Sequence, residues 1–175
     1  MGKCHAMAYG AVRAVFGDLP LIDRVMLCDV EPGHAAASAA AFGFARWGTD
    51  WRDLLSDASI DLVSIPAPNG MHREMAVAAL EAGKHVLCEK PIALTAAEAQ
   101  TLVDAGRRHP HLKLMEAFMY RFHPQIATAQ ELIDSGAIGE LQHMHAAFTF
   151  RLTNPANIRL QAELGGGALQ MRHCR

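Results

Sequence analysis

Short apolar runs alternate with stretches of helical spacing along most of the chain, the pattern of βαβ units built on a parallel sheet. Residues 25–29 (VMLCD), 60–65 (IDLVSI), 84–88 (KHVLC) and 112–117 (LKLMEA) are the strand candidates. The second is apolar and β-branched, as suits a strand covered on both faces. Between them, the alanine-rich residues 34–42 predict a helix, residues 43–49 a loop, and residues 50–55 a short helix. Pro66, Pro68, Asn69 and Gly70 end the second strand and open a loop. Met75, Val77, Ala78 and Ala79 then suit a helix over 71–82, with Gly83 placed as its left-handed cap. Thr95-Ala96-Ala97-Glu98 is a capping-box sequence. In that box the threonine hydroxyl accepts from the amide three residues on, and the glutamate reaches back to the threonine amide. It predicts a helix to about residue 108. Past Phe118 the pattern predicts a helix over 124–135 closed by Gly136, then a longer strand over 141–151 with two-residue alternation. The expected division is a first domain at 1–120 and an incomplete second one at 121–175.

Composition narrows the class. A length of 175 residues allows one domain with part of another. With 51% hydrophobic and 19% charged residues the chain can build a core. A net charge of −2 lacks the basic excess of nucleic-acid binders. Neither an apolar run of about 18 residues nor a signal-peptide core is present, so a soluble, cytoplasmic protein without a membrane partner is expected. Cys4, Cys28, Cys88 and Cys174 form no C-x-x-C pair and read as idle or buried thiols. His109 with His111, and His143 with His145, have no carboxylate or thiol at ligand spacing, so no metal site is expected.

The chemistry concentrates in residues 83–95, GKHVLCEKPIALT. A strand ends there in Glu89-Lys90-Pro91, which sets an acid and an amine at the carboxyl edge of the sheet. That edge is where open parallel sheets bind ligands. Together with IDLVSIPAPNGMH before it and MEAFMYRFHP after it, this segment resembles the Gfo/Idh/MocA family of NAD(P)-dependent oxidoreductases. The three blocks stand in the family's order and span almost the whole chain.

The resemblance implies a dinucleotide-binding Rossmann domain followed by an α/β domain that shapes a substrate pocket. It also implies hydride transfer between nicotinamide and a carbinol carbon of a sugar or cyclic polyol. Lys90 then takes the catalytic place beside nicotinamide and the reacting hydroxyl, where an ammonium can stabilise a developing alkoxide. Glu89 either lies near the nicotinamide ribose or holds Lys90. Asp29 has the place of the acid that bonds the adenosine ribose and favours NAD, with NADP left open; its lesser reading is a helix-entry or loop aspartate. Pro68, Asn69 and His72 match the P-N-x-x-H loop that runs along the dinucleotide, although Asn69 and His72 also suit a plain helix start. Arg121 matches a junction arginine that contacts cofactor or substrate, or else makes a structural ion pair. Phe118, Met119 and Phe122 are expected to pack in a core.

Both ends depart from the pattern. Gly2 matches the last glycine of the G-x-G-x-x-G fingerprint, while the strand and the two glycines before it are missing. The expected fold is thus α/β, a Rossmann-like parallel sheet lacking its first strand, followed by the start of an α/β substrate domain. Residues 165–169 (GGGAL) match the family's G-G-G-x-L turn, but Met171 then stands where an aspartate belongs, and His173 does not fall at the catalytic histidine's place. The chain is therefore expected to be weak or inactive by itself. The alternative is a non-catalytic remnant serving as an interaction or nucleotide-binding module. Substrate contacts and the oligomeric association of longer relatives would lie mostly in the second domain.

Overall fold

A computed structural model describes residues 1–161, 166 and 167. In chain order its helices and strands are α1 (Gly2–Phe16), β1 (Met26–Cys28), α2 (Pro32–Phe42), β2 (Arg46–Gly48), α3 (Asp53–Ser56), β3 (Leu62–Ile65), α4 (His72–Glu81), β4 (His85–Cys88), α5 (Ala96–Arg108), β5 (Leu114–Glu116) and α6 (Pro124–Asp134). Short 3-10 turns cover Asn69–Met71, Met119–Phe122 and Ile158–Leu160. The strands pair in parallel, in a two-stranded sheet β1-β2 and a three-stranded sheet β3-β4-β5. In a doubly wound order of 3-2-1-4-5-6, the break between β1 and β3 is where strand one would lie.

Local sequence accounts for most of these elements. Glu31 caps α2 through its carboxylate, which accepts from the amides of Gly33 and His34, and Pro32 opens the helix with its fixed φ. Those two amides hold the Glu31 carboxyl below the usual carboxylate range. Gly83, at φ 78°, closes α4 in the left-handed region that other residues avoid. The chain then turns directly into β4, where His85 stands opposite Leu62 of β3. Thr95 caps α5 by accepting from the amide of Glu98. Glu98 reaches back one residue further than its capping box predicts, to the amide of Leu94 at 2.9 Å.

The core lies between the β3-β4-β5 sheet and the helices α4 and α5. Leu80, Val86, Cys88 and Leu102 are fully buried there, with Ile60, Val63, Ile65, Ala76, Ala79 and Ala105 around them. Leu80 and Leu102 extend from the two helices onto the apolar strands, which is why these elements form one packed layer.

Three expectations need correction. Residues 46–48, read as loop, form β2, paired with β1 from Met26↔Arg46 to Cys28↔Gly48. Arg-Trp-Gly carries no apolar alternation, so only the ladder to β1 defines this strand. Residues 141–151, read as an alternating strand, have no regular structure. No described strand lies alongside them, and an isolated segment has no partner for its backbone groups. Met119 and Phe122, expected in a core, are 62% and 69% exposed. Their neighbours Phe118 and Tyr120 meet each other, and Tyr120 meets Phe148, which meets Phe150, in a run of ring contacts that does not bury Met119 or Phe122. The readings on residues 165 and 168–174 lie outside the described residues.

Candidate functional site

Strands β3 and β4 end level with each other, Ile65 opposite Cys88, so the segments leaving them start side by side at the carboxyl edge. The amide of Glu89 still donates to the carbonyl of Ile65 at 3.0 Å, extending the ladder by one bond. The Lys90–Pro91 peptide is cis. Beyond it, the amide of Ile92 donates to Glu116 Oε1 at 2.8 Å, which anchors the turn from β5.

His72, the first residue of α4, is fully buried and joins this turn to the loop after β3. Its Nδ1 lies 2.7 Å from the Pro91 carbonyl oxygen and its Nε2 lies 2.8 Å from that of Ala67. Both partners can only accept. A neutral imidazole donates to one of them, whereas an imidazolium donates to both. Asn69, in the 3-10 turn before His72, is also buried. It does not cap α4, whose N-cap is Met71 without a side-chain bond. Pro68 stands exposed just ahead of that turn and its carbonyl accepts from the amide of Met71.

Glu89 is nearly buried, and both its carboxylate oxygens are engaged. Oε1 lies 3.0 Å from His5 Nε2, and Oε2 accepts from the backbone amide of Lys90 at 3.1 Å. Burial pushes its carboxyl up, but the His5 bond, the Lys90 amide and the nearby charges of His5 and Lys90 outweigh that and hold it below its ordinary value. Lys90 itself is half-buried. Among the described residues its ammonium has no hydrogen-bond or ion-pair partner, so the amine is available at the edge while its backbone is held.

Helix α1 brings its N-terminus to the same edge. A Cβ at Gly2 would lie 3.4 Å from Pro66 Cγ, an ordinary contact, so packing alone does not require glycine here. Met1 makes no side-chain cap and the first turn holds no acid. The amides of Gly2 and Lys3, ahead of those of Cys4 and His5 that donate to the Met1 carbonyl, therefore keep the donor character that suits a phosphate, with no side chain at Gly2 across the approach. An anion-accepting helix end, a free amine and a strand edge together fit a dinucleotide in donor chemistry.

Asp29 belongs to the other sheet. It is exposed just past β1, its amide donating to the Gly48 carbonyl and its Oδ1 accepting from the Glu31 amide at 3.0 Å. Arg121 is exposed in the 3-10 turn beyond β5 and makes no ion pair among the described residues. The structure thus gathers Gly2, Pro68, Asn69, His72, Glu89 and Lys90 around the ends of β3 and β4. It joins neither Asp29 nor Arg121 to them by a direct contact. His5, Ser64 and Glu116 belong to the cluster although nothing in the sequence singled them out. Each is one polar residue in an apolar or helical run, and only the paired strands reveal what it faces.

Among the described residues, no three metal-ligating side chains form a group, and no helix is long and apolar enough to cross a membrane.

Comparison with known proteins gives the site its context. Residues 2–118 match the model of the oxidoreductase family with an NAD-binding Rossmann fold, and residues 126–171 match a Gfo/Idh/MocA C-terminal domain. The chain is 37% identical to levoglucosan dehydrogenase of Pseudarthrobacter phenanthrenivorans, over 97% of this chain and 45% of that protein. It is 35% identical to inositol 2-dehydrogenase of Salmonella typhimurium, over 71% of this chain and 37% of that protein. A structure of levoglucosan dehydrogenase in complex with NADH superposes with a TM-score of 0.84 at 38% identity, covering 97% of this chain and 47% of that one. The chain spans less than half the length of these relatives. It belongs to the Gfo/Idh/MocA oxidoreductase family, and residues 2–118 are its NAD-binding Rossmann domain.

Proposed function

We propose that this chain is the dinucleotide-binding part, with the opening of the substrate domain, of an oxidoreductase acting on a sugar or cyclic polyol. The observation that carries this is the convergence at one sheet edge of an uncapped helix N-terminus, a half-buried lysine and a buried glutamate. Nicotinamide dinucleotide, when bound, supplies the hydride acceptor or donor. The chain's own residues do the rest. The first amides of α1 take the pyrophosphate, and the loop through Pro68 and Asn69 lies along the dinucleotide. Lys90 Nζ donates to the substrate oxygen and stabilises negative charge as it builds there. Glu89 serves as the holder of Lys90, since both its oxygens are already engaged by the chain. Asp29, with Glu31 two residues on, sets carboxylates where a ribose 2′-phosphate would be repelled, which favours NAD over NADP. Arg121 lies at the junction of a nucleotide domain at 1–120 and a substrate segment from 121.

One feature favours a weaker role. Among the described residues no strand joins β1-β2 to β3-β4-β5, so Asp29 and Lys90 stand on separate sheets. A nucleotide-binding module with little turnover is the corresponding second reading. Titrating the chain with NADH and NADPH by fluorescence, then following nicotinamide absorbance with a panel of polyols, separates the two. Micromolar NADH binding with turnover abolished in Lys90→Ala supports an enzyme, and binding without turnover supports the module. A folded chain that binds neither dinucleotide overturns both.

A further inference from the structure

His5 lies in the first turn of α1, yet its ring spans two strands of the sheet. Its Nδ1 is 2.7 Å from Ser64 Oγ on β3, and its Nε2 is 3.0 Å from Glu89 Oε1 just past β4. Its side chain is only 13% exposed and that of Glu89 only 7%, so water competes little for these bonds. An ionised Glu89 can only accept, so Nε2 carries a proton. In the neutral ring Nδ1 then accepts, and the Ser64 hydroxyl donates to it. The other Glu89 oxygen receives the backbone amide of Lys90. An unbroken line of bonds runs from Ser64 through His5 and Glu89 to the backbone of Lys90.

We infer that His5 is a positioning residue, which fixes the Glu89 carboxylate and through it the Lys90 backbone, so that the dinucleotide-facing end of α1 and the lysine move as one unit. The inference rests on the functional reading above for its consequence, but the link itself needs no ligand. Without the ring, Glu89 loses one of its two anchors and can swing from the Lys90 amide. The charged groups that bear on Glu89 are His5 on α1 and Lys90 on its own segment; next to it the Cys88 thiol feels both Glu89 and Glu116 of β5, and Tyr9 of α1 lies beyond Ser64. The Tyr9 hydroxyl is shielded without a partner at hydrogen-bonding geometry among the described residues. Burial raises its pKa, and Ser64 beside it offsets part of that.

The test compares the full chain with its His5→Ala and His5→Gln forms, using carboxyl-carbon NMR of Glu89 against pH, the amide resonance of Lys90, and NADH affinity. Glutamine keeps a donor of similar reach. In His5→Ala the Glu89 titration is expected to move up toward the ordinary range, and the Lys90 amide to shift. NADH affinity is expected to fall about tenfold, the scale of one lost hydrogen bond to a charged group. His5→Gln is expected to recover all three in large part, which a mere packing role would not produce. Should His5→Ala fail to fold, His5→Asn, polar but too short to reach Glu89, takes its place. An unchanged Glu89 titration and Lys90 resonance in a folded variant overturn the inference. If the wild-type chain binds no NADH, the functional reading fails while the two NMR measurements still decide the link.

Discussion

Replacing His72 by phenylalanine isolates the clamp between the two loops of the site. The aromatic ring preserves most of the buried volume, so the cavity contribution is small. What is lost is the ring's donation to one of the carbonyls of Pro91 and Ala67, at 2.7 and 2.8 Å, from the neutral imidazole, or to both from the imidazolium. A buried acceptor left without a partner costs about 1–3 kcal/mol. Pro91 is buried and Ala67 half-buried, so the expected loss is about 1–3 kcal/mol for the single donation of a neutral ring and about twice that where both carbonyls are served. Against a typical domain stability of about 5–15 kcal/mol that is a large fraction. Urea unfolding at neutral pH, followed by circular dichroism, measures it as a fall in midpoint at unchanged slope. Hydrogen exchange adds the location: the amides of Met71 and Ile92, which flank the clamp, should lose protection before those of β4. His72→Gln, able to keep one donation, should lose less. A loss below about 1 kcal/mol in His72→Phe, or loosening spread evenly over the sheet, would refute the clamp.

Glu89→Gln should destabilise the chain by about 2 kcal/mol at pH 7, through weakened bonds to His5 and the Lys90 amide. Because the folded chain holds this carboxyl below its unfolded value of about 4.3, the wild type's advantage is full above that pH. It fades as the pH drops through the lower folded value, so urea midpoints of the two proteins should converge in acid; a constant gap down to pH 3 would count against an ionised Glu89. Cys88 is buried, with its thiol pushed up to about 12 by burial and by the charges of Glu116 and Glu89. It should resist maleimide at pH 8 while exposed Cys4 reacts, as mass spectrometry of peptides would read. Leu80→Ala, at a fully buried position between α4 and the sheet, should cost about 2–5 kcal/mol in the same urea assay. Thr95→Ala removes the cap of α5 and should cost about 1 kcal/mol, with no change in NADH affinity.

Elements with a strong local signature were legible from the residues alone. β3 and β4 are short apolar runs bounded by proline or glycine, and α5 opens on its capping residue, so each was placed within two or three positions. β2 was not legible, because a three-residue edge strand owes its existence to the hydrogen bonds of β1 rather than to its own side chains. Residues 141–151 show the converse. Their alternation has the period of a strand, but period is only permission to pair, and without a neighbouring ladder the backbone stays irregular.

The site divides along the same line. Glu89 and Lys90 were visible because they end a strand, where a sheet presents its ligand edge, whereas Asn69 and His72 stood out only through their match to the family's P-N-x-x-H loop. His5 and Ser64 were invisible because their meaning is relational. They stand 59 residues apart, and neither has a neighbour in sequence that hints at the other. Only when α1 lies across the end of β3 does the imidazole find both a hydroxyl and a carboxylate. A polar residue on the inner side of a helix's first turn, over a sheet whose next strand ends in a buried acid, is the pattern to seek in such chains. It joins the first turn of α1 to the carboxyl edge of the sheet without passing through any contiguous motif.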